Sequence, residues 1–201
     1  MSVVHRTRVG VVALLAAAVL AGCGDDEPHW GAVDESTCEG LDLAGAVADA
    51  FPDAAPATVE ADASRGGTTG KGSSAVTCRA TVEAGGQGQM TVVVEVSSSG
   101  TAGENNLYGL RDGGELSVAG ARVEVQPEAV DGWWDEGVRA MATSEPAPPV
   151  AAVVHLTVRD DNLAVAAQVS DWRGAELVDP EADSALADAI VDAVPDVVEP
   201  R

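Results

Sequence analysis

Apolar and polar residues alternate most clearly in two pairs of stretches, each joined by a short turn sequence. In the first pair, residues 75–83 alternate, a glycine-rich turn follows at 85–88, and a β-branched run covers Met90–Val96. The second pair is Val150–Arg159 and Leu163–Ser170, joined by residue types that tolerate left-handed backbone geometry. A period of two is typical of strands. The pattern therefore predicts two main antiparallel hairpins.

Other stretches have weaker patterns. Leu116–Val118 and Arg122–Val125 predict a smaller hairpin, whereas Pro52–Ser74 and Ser97–Asn106 predict surface loops. The two main hairpins also share short similar segments. This similarity is compatible with an old duplication. It is also expected without one, because antiparallel hairpins are built from the same few residue types.

Two segments have the apolar spacing of a helix. The first is Leu41–Phe51, stopped by Pro52, and the second begins after Asp179 with Pro180 and ends at Pro195. The apolar stripe of the second helix is Leu186, Ile190 and Ala193. Neither helix alternates with strands in βαβ order. We therefore expect an α+β fold, an antiparallel sheet built from two main hairpins with an N-terminal and a C-terminal helix packed on one face.

The N-terminus has the pattern of an export signal. Arg6 and Arg8 precede an apolar run, Val9–Leu20, which is shorter than the ~20 residues that span a bilayer. The run leads into Leu20-Ala21-Gly22-Cys23, which resembles a bacterial lipobox. That resemblance implies that Cys23 is linked to diacylglycerol and becomes the mature N-terminus. The alternative is an ordinary secretory signal followed by a chance cysteine.

This interpretation divides the chain into three parts. Residues 1–22 are a lipoprotein signal peptide, residues 23–37 are an acidic tether, and residues 38–201 are a single α+β domain. The predicted location is the outer face of the cytoplasmic membrane, with the membrane itself as a partner through the lipid anchor.

Composition limits the remaining partners. The 201 residues contain 33 acids against 11 lysines and arginines, for a net charge of −22. Such a charge repels nucleic acid and anionic headgroups, so we expect no nucleic-acid partner. The acids are scattered among Ala, Val and Gly, which favours a solvated surface over a dedicated cation site. An envelope protein or a small ligand is the expected partner.

Two cysteines remain if Cys23 is lipidated. Cys38 and Cys78 form an even pair in an exported, oxidising setting, so we predict a disulfide between them. Closing a loop of about 40 residues stabilises by roughly 4 kcal/mol in the chain-entropy model. A two-thiol metal site is the alternative, supported only by His29 and His155.

Motifs for catalysis are scarce. The sequence has neither Gly-x-Ser-x-Gly nor Ser-x-x-Lys, and the glycine-rich stretch 66–73 departs from a phosphate loop because Gly72 follows Lys71. Gly132–Gly137 contains Trp133 and Trp134. These two side chains are expected either to pack in the core or to form a partner-binding pair. We predict no catalytic residue, no metal ligand and no cofactor. His155 is expected on the partly exposed face of its strand. Trp172 is expected to cover the core as a lid, and Trp30 lies in the predicted tether.

Together these features resemble the small actinobacterial cell-envelope lipoproteins grouped as a domain family of unknown function. The shared features are the lipobox, an acidic spacer, Cys38 before a helix, Cys78 in the first strand, and a late strand pair followed by a helix. Family members often carry a further cysteine pair in the second half, which this chain lacks. The resemblance implies a non-enzymatic, lipid-anchored binding or accessory protein. The alternatives are a carboxylate-dependent cell-wall or glycan hydrolase, and an accessory subunit of an envelope transporter or sensor.

Overall fold

Antiparallel strands form most of the structure. The computed structural model describes residues 30–64, 74–86, 88–98, 114–144 and 150–200. Seven strands form one sheet in the order β1-β2-β3-β9-β8-β7-β6, and β4 and β5 form a separate hairpin. The strands are β1 Thr58–Ser64, β2 Ala75–Ala84, β3 Gly88–Ser97, β4 Gly114–Val118, β5 Ala121–Val125, β6 Glu128–Ala129, β7 Glu136–Thr143, β8 Ala152–Asp160 and β9 Leu163–Asp171.

The helices are α1 Glu35–Leu41, α2 Leu43–Ala50, α3 Pro180–Asp192 and α4 Val194–Val197. The predicted α+β class with an antiparallel sheet is confirmed. β3 pairs with β9 at the centre of the sheet, with Val94 opposite Ala167. This pairing joins the early strands of the chain to the late ones.

The main core lies between one face of the sheet and the helices. In β3, Met90, Val92, Val94 and Val96 are fully buried, whereas Glu95 on the other face is exposed. The same alternation continues in the neighbouring strand β2, and helix residues such as Leu43, Leu186 and Ile190 complete the cluster. Because apolar residues recur at every second position of a strand, they share one face of the sheet, and that face is buried from solvent.

A second, smaller core lies on the opposite face of β7 and β8. Leu116, Val118 and Val125 from the β4–β5 hairpin pack there against Ala140 and Val153. The hairpin thus covers β8, whose other face belongs to the main core, together with its neighbour β7. This explains why β8 contains buried residues at successive positions instead of a clean alternation.

The first predicted helix, Leu41–Phe51, corresponds to α2, and the shorter helix α1 precedes it. Asp42 has a left-handed backbone (φ +41°), which ends α1, and its side chain accepts a hydrogen bond from the Gly45 backbone to begin α2. α1 itself begins after Asp34, whose carboxylate accepts from the Ser36 backbone N–H. α3 begins as the sequence predicted, with Asp179 as its N-cap and Pro180 as its first residue.

Three other sequence interpretations need correction. The segment assigned to the tether up to residue 37 is folded from Trp30 onward, because α1 begins at Glu35 and Val33 is only 3% exposed. The predicted loop Pro52–Ser74 contains β1, an edge strand that pairs with β2. Its apolar positions, Val59, Ala61 and Ala63, alternate with polar ones, but two of the three are small alanines and the pattern is weak. β7 was not predicted, because small alanines at two of its inward positions weaken the pattern.

Most of the predicted loop Ser97–Asn106 lies outside the described residues, although Ser97 itself ends β3.

The predicted disulfide is present. Cys38 in α1 and Cys78 in β2 are bonded, with their Cα atoms 5.4 Å apart. Both residues are buried in the main core. The bond therefore ties the first helix to a strand near one side of the sheet.

Candidate functional site

The chain enters the domain at the turn between β8 and β9. The Trp30 backbone N–H donates to Asn162 Oδ1 at 2.9 Å, and its indole N–H donates to Asp160 Oδ2 at 2.9 Å. Trp30 also forms an isolated bridge with Pro200, so the C-terminal end of the chain lies at the same place. Trp30 thus rests on the domain, and Cys23 and His29 lie outside the described residues.

The two tryptophans of the Gly132–Gly137 motif lie beside Trp30. The Trp133 ring packs edge-on against Trp30 and against Trp134, with centroids 5.6 Å apart in each pair. The indole N–H of Trp133 donates to the Val191 carbonyl at 3.2 Å, which links the motif to α3. The indole N–H of Trp134 donates to a backbone carbonyl four residues earlier, at 3.0 Å.

The glycines of this motif are required by packing. A Cβ atom at Gly132 or Gly137 would overlap the Trp134 indole. The motif therefore forms a local unit in which half-buried rings cover the edge of the core. Partner binding by Trp133 and Trp134 stays a prediction.

A cleft of about 660 Å³ lies at the other end of the sheet, and we call it the distal cleft. Its walls come from three places: the end of α2 with the loop after it, the β2–β3 turn, and the segment between β9 and α3. Apolar side chains line it, namely Phe51, Ala54, Val82, Leu177 and Val178. Trp172, which the sequence predicted as a lid on the core, lies just after β9 and is 45% exposed.

A buried ion pair lies beside the distal cleft, and its Arg173 lines the cleft wall. Arg173 donates from Nε to Asp171 Oδ1 at 2.9 Å and from Nη2 to Asp171 Oδ2 at 2.7 Å. Nη2 also donates to the Leu177 carbonyl at 3.1 Å, which holds the β9–α3 segment in place. The guanidinium carbon lies 4.2 Å from the centroid of the Phe51 ring. Arg173 is thus fixed from several sides and its charge is balanced by Asp171.

A second buried acid lies near this pair. Asp183 on α3 is only 1% exposed, and neither carboxylate oxygen has a hydrogen-bond partner in the described part of the chain. Burial, together with the negative charges of Asp171 and Asp179, raises the pKa of Asp183 to about 7, while Arg173 acts in the opposite direction. Asp183 therefore stays protonated well above the usual range of an aspartic acid.

The two buried acids do not form an accessible catalytic pair. Asp171 and Asp183 are both almost completely buried, so a glycan chain could not contact either carboxylate in this conformation. A general acid must lie within hydrogen-bond reach of the bond it protonates. The hydrolase alternative therefore gains no site from this pair and stays a prediction.

His155 lies on the face of β8 opposite the helices, as its strand pattern indicated. Its side chain is half-buried, and burial lowers the pKa of its imidazole. Neighbouring Thr157 is fully buried, and its hydroxyl has no hydrogen-bond partner within the described ranges. These two residues are not on the wall of the distal cleft.

The described part of the chain contains neither a candidate metal cluster nor a candidate membrane-spanning helix. There, no three His, Cys, Asp or Glu side chains are grouped so that they could hold a metal ion. Among the same residues, no helix is both long and apolar enough to cross a bilayer.

Comparisons with known proteins give no assignment. The chain matches no protein-family model, and no curated protein matches it significantly. The resemblance to envelope lipoproteins stays a prediction carried by the lipobox and the cysteine positions.

Proposed function

We propose that the protein is a lipid-anchored, extracytoplasmic binding or accessory protein of the cell envelope without catalytic activity of its own. The observation that carries the proposal is the position of the distal cleft relative to Trp30. Trp30 is bonded to the turn that precedes β9, and Arg173 follows the other end of the same nine-residue strand. At 3.4 Å per residue the strand separates the two ends by roughly 27 Å.

This separation suits a protein that is held at one end and binds at the other. Residues 23–29 can span at most about 25 Å, so a lipid on Cys23 would keep Trp30 close to the bilayer surface. The distal cleft would then open away from the membrane. Two or more acyl chains make such an attachment stable, whereas a single chain is marginal.

The frame of the domain favours a rigid binding site. In our proposal the two main hairpins, β2–β3 and β8–β9, form this frame, and helices from the two ends of the chain pack on one face of it. The Cys38–Cys78 disulfide fastens the N-terminal helix to the first hairpin. Rigid walls reduce the entropy lost when a ligand is bound.

Attachment is tested with Cys23→Ala, using Pro28→Ala in the predicted tether as the matched control. Cells are labelled with an alkyne analogue of palmitate, and washed membranes are compared with soluble fractions. We expect label and membrane association in the parent chain and the control, and loss of both in Cys23→Ala. A labelled, membrane-bound Cys23→Ala chain, or a parent chain in the cytosol with its leader intact, would refute the proposal.

A further inference from the structure

The charged side chains around the distal cleft are almost all acidic. Asp53, Glu83, Glu176 and Asp179 line it, and in the described part of the chain Arg173 is the one basic residue among the lining side chains. All four acids belong to exposed residues. The charge of Arg173 is already balanced by Asp171, with two hydrogen bonds between them. The cleft therefore presents a net negative charge to a ligand.

The same cleft offers an apolar surface. Val82 belongs to the main core, and Phe51 is partly buried against it. Leu177, at the cleft, is 52% exposed. Its volume of about 660 Å³ lies within the range of small-molecule sites, which is about 300–1,000 Å³. An apolar group of a ligand could therefore be removed from water there while a charged end stays at the rim.

We infer that the distal cleft binds a small organic cation that carries an apolar group, such as an aromatic or alkyl ammonium. An anionic ligand would face the rim carboxylates, and the one guanidinium is already held by Asp171. A neutral apolar ligand would leave the carboxylates without a complement. This inference rests on the proposed binding function and specifies its ligand class.

The test uses the 4-fluorophenethylammonium ion as the probe, observed by fluorine NMR. The full chain is studied in phosphatidylcholine nanodiscs, with empty nanodiscs as the reference for partition into lipid. Two probes of similar size serve as charge controls, namely 3-(4-fluorophenyl)propionate and 2-(4-fluorophenyl)ethanol. We expect the ammonium probe to bind more tightly than the alcohol, and the alcohol more tightly than the carboxylate.

Two variants place the binding in the distal cleft. Asp53→Asn and Glu176→Gln each remove one exposed rim charge, and each should weaken binding of the ammonium probe by about twofold to fivefold. Glu60→Gln is the matched control, because Glu60 is an equally exposed acid on β1 that does not line this cleft. Its affinity for the probe should equal that of the parent chain.

Three results would overturn the inference. They are binding of the carboxylate probe as tight as that of the ammonium, no ammonium binding up to its solubility limit, and an effect of Glu60→Gln equal to that of the rim variants. The anchor is judged separately, because the full chain carrying Cys23→Ala should bind the ammonium probe with unchanged affinity. A chain that is labelled by the palmitate analogue and bound to the membrane, but does not bind the ammonium probe, would refute the proposed ligand class. The proposed lipid anchor would still stand.

Discussion

Replacing Asp183 by asparagine should change how the stability of the domain depends on pH. The carboxyl is buried and lacks a hydrogen-bond partner among the described residues, and its pKa is raised from 3.8 to about 7. Below about pH 4 both the folded and the unfolded chain hold this proton. Between about pH 4 and pH 7 the unfolded chain releases it while the folded chain keeps it, so the folded state loses stability as the pH rises.

The size of this loss follows from the shift. Each pH unit in that interval costs about 1.4 kcal/mol, and an interval of about three units gives a total of about 4 kcal/mol by pH 8. The amide of the variant Asp183→Asn cannot ionise, so the variant escapes the loss. Its own cost, a buried amide without partners, is the same at every pH and cancels when two pH values are compared.

The assay is urea unfolding of the parent chain and Asp183→Asn from pH 4 to pH 8, followed by far-UV circular dichroism with the disulfide intact. We expect the difference in free energy of unfolding between them to move by about 4 kcal/mol in favour of the variant as the pH rises. Asp192→Asn, an exposed carboxylate on the same helix, is the control. A difference that moves by less than about 1 kcal/mol would refute the burial argument.

Three further changes test the packing by denaturant unfolding. The double variant Cys38→Ala, Cys78→Ala should lose about 4 kcal/mol of stability through the freed loop, and an unchanged midpoint under non-reducing conditions would contradict the assigned bond. Gly137→Ala should cost about 1–3 kcal/mol because its methyl group overlaps an indole ring, whereas Gly85→Ala, with open space around it, should cost less than about 0.5 kcal/mol. Arg173→Met should cost about 3–5 kcal/mol because it leaves a buried carboxylate without its partner, and a near-neutral effect would show that the pair is solvated.

Local patterns were sufficient for much of the secondary structure. The alternation in residues 75–83 and in Leu163–Ser170 predicts strands because side chains of a strand point to alternate faces. The N-cap at Asp179 is likewise a local signal, since it depends on backbone groups within three residues. The Cys38–Cys78 bond was predicted on the premises that Cys23 is lipidated, which leaves an even pair, and that the chain is exported.

Elements with weak local patterns were missed for a physical reason. β1 is an exposed edge strand whose alternating apolar residues, Val59, Ala61 and Ala63, are mostly small, so its pattern is weak within a stretch rich in Ala, Pro, Gly, Thr and Ser. β7 carries alanines where larger side chains would have revealed the pattern. The break between α1 and α2 depends on one left-handed residue, Asp42, within an otherwise helical stretch.

The distal cleft was not predicted, and only a faint signal for it exists in the sequence. The spacing Asp171-Trp172-Arg173 is compatible with a local ion pair, but nothing in the sequence shows that this pair is buried. Its burial depends on Phe51 and on α3, which arrive from distant parts of the chain.

The sequence by itself determined the net charge and most of the strand and helix segments, since each depends on composition or on neighbouring residues. It paired Cys38 with Cys78 on the premise that Cys23 is lipidated. Only the tertiary structure decided that β3 lies beside β9, that Asp183 is enclosed without a partner in the described part of the chain, and that the cleft lies at the far end of the sheet from Trp30. These features arise where segments far apart in sequence meet. A local period of two or 3.6 carries no information on which of them will be neighbours.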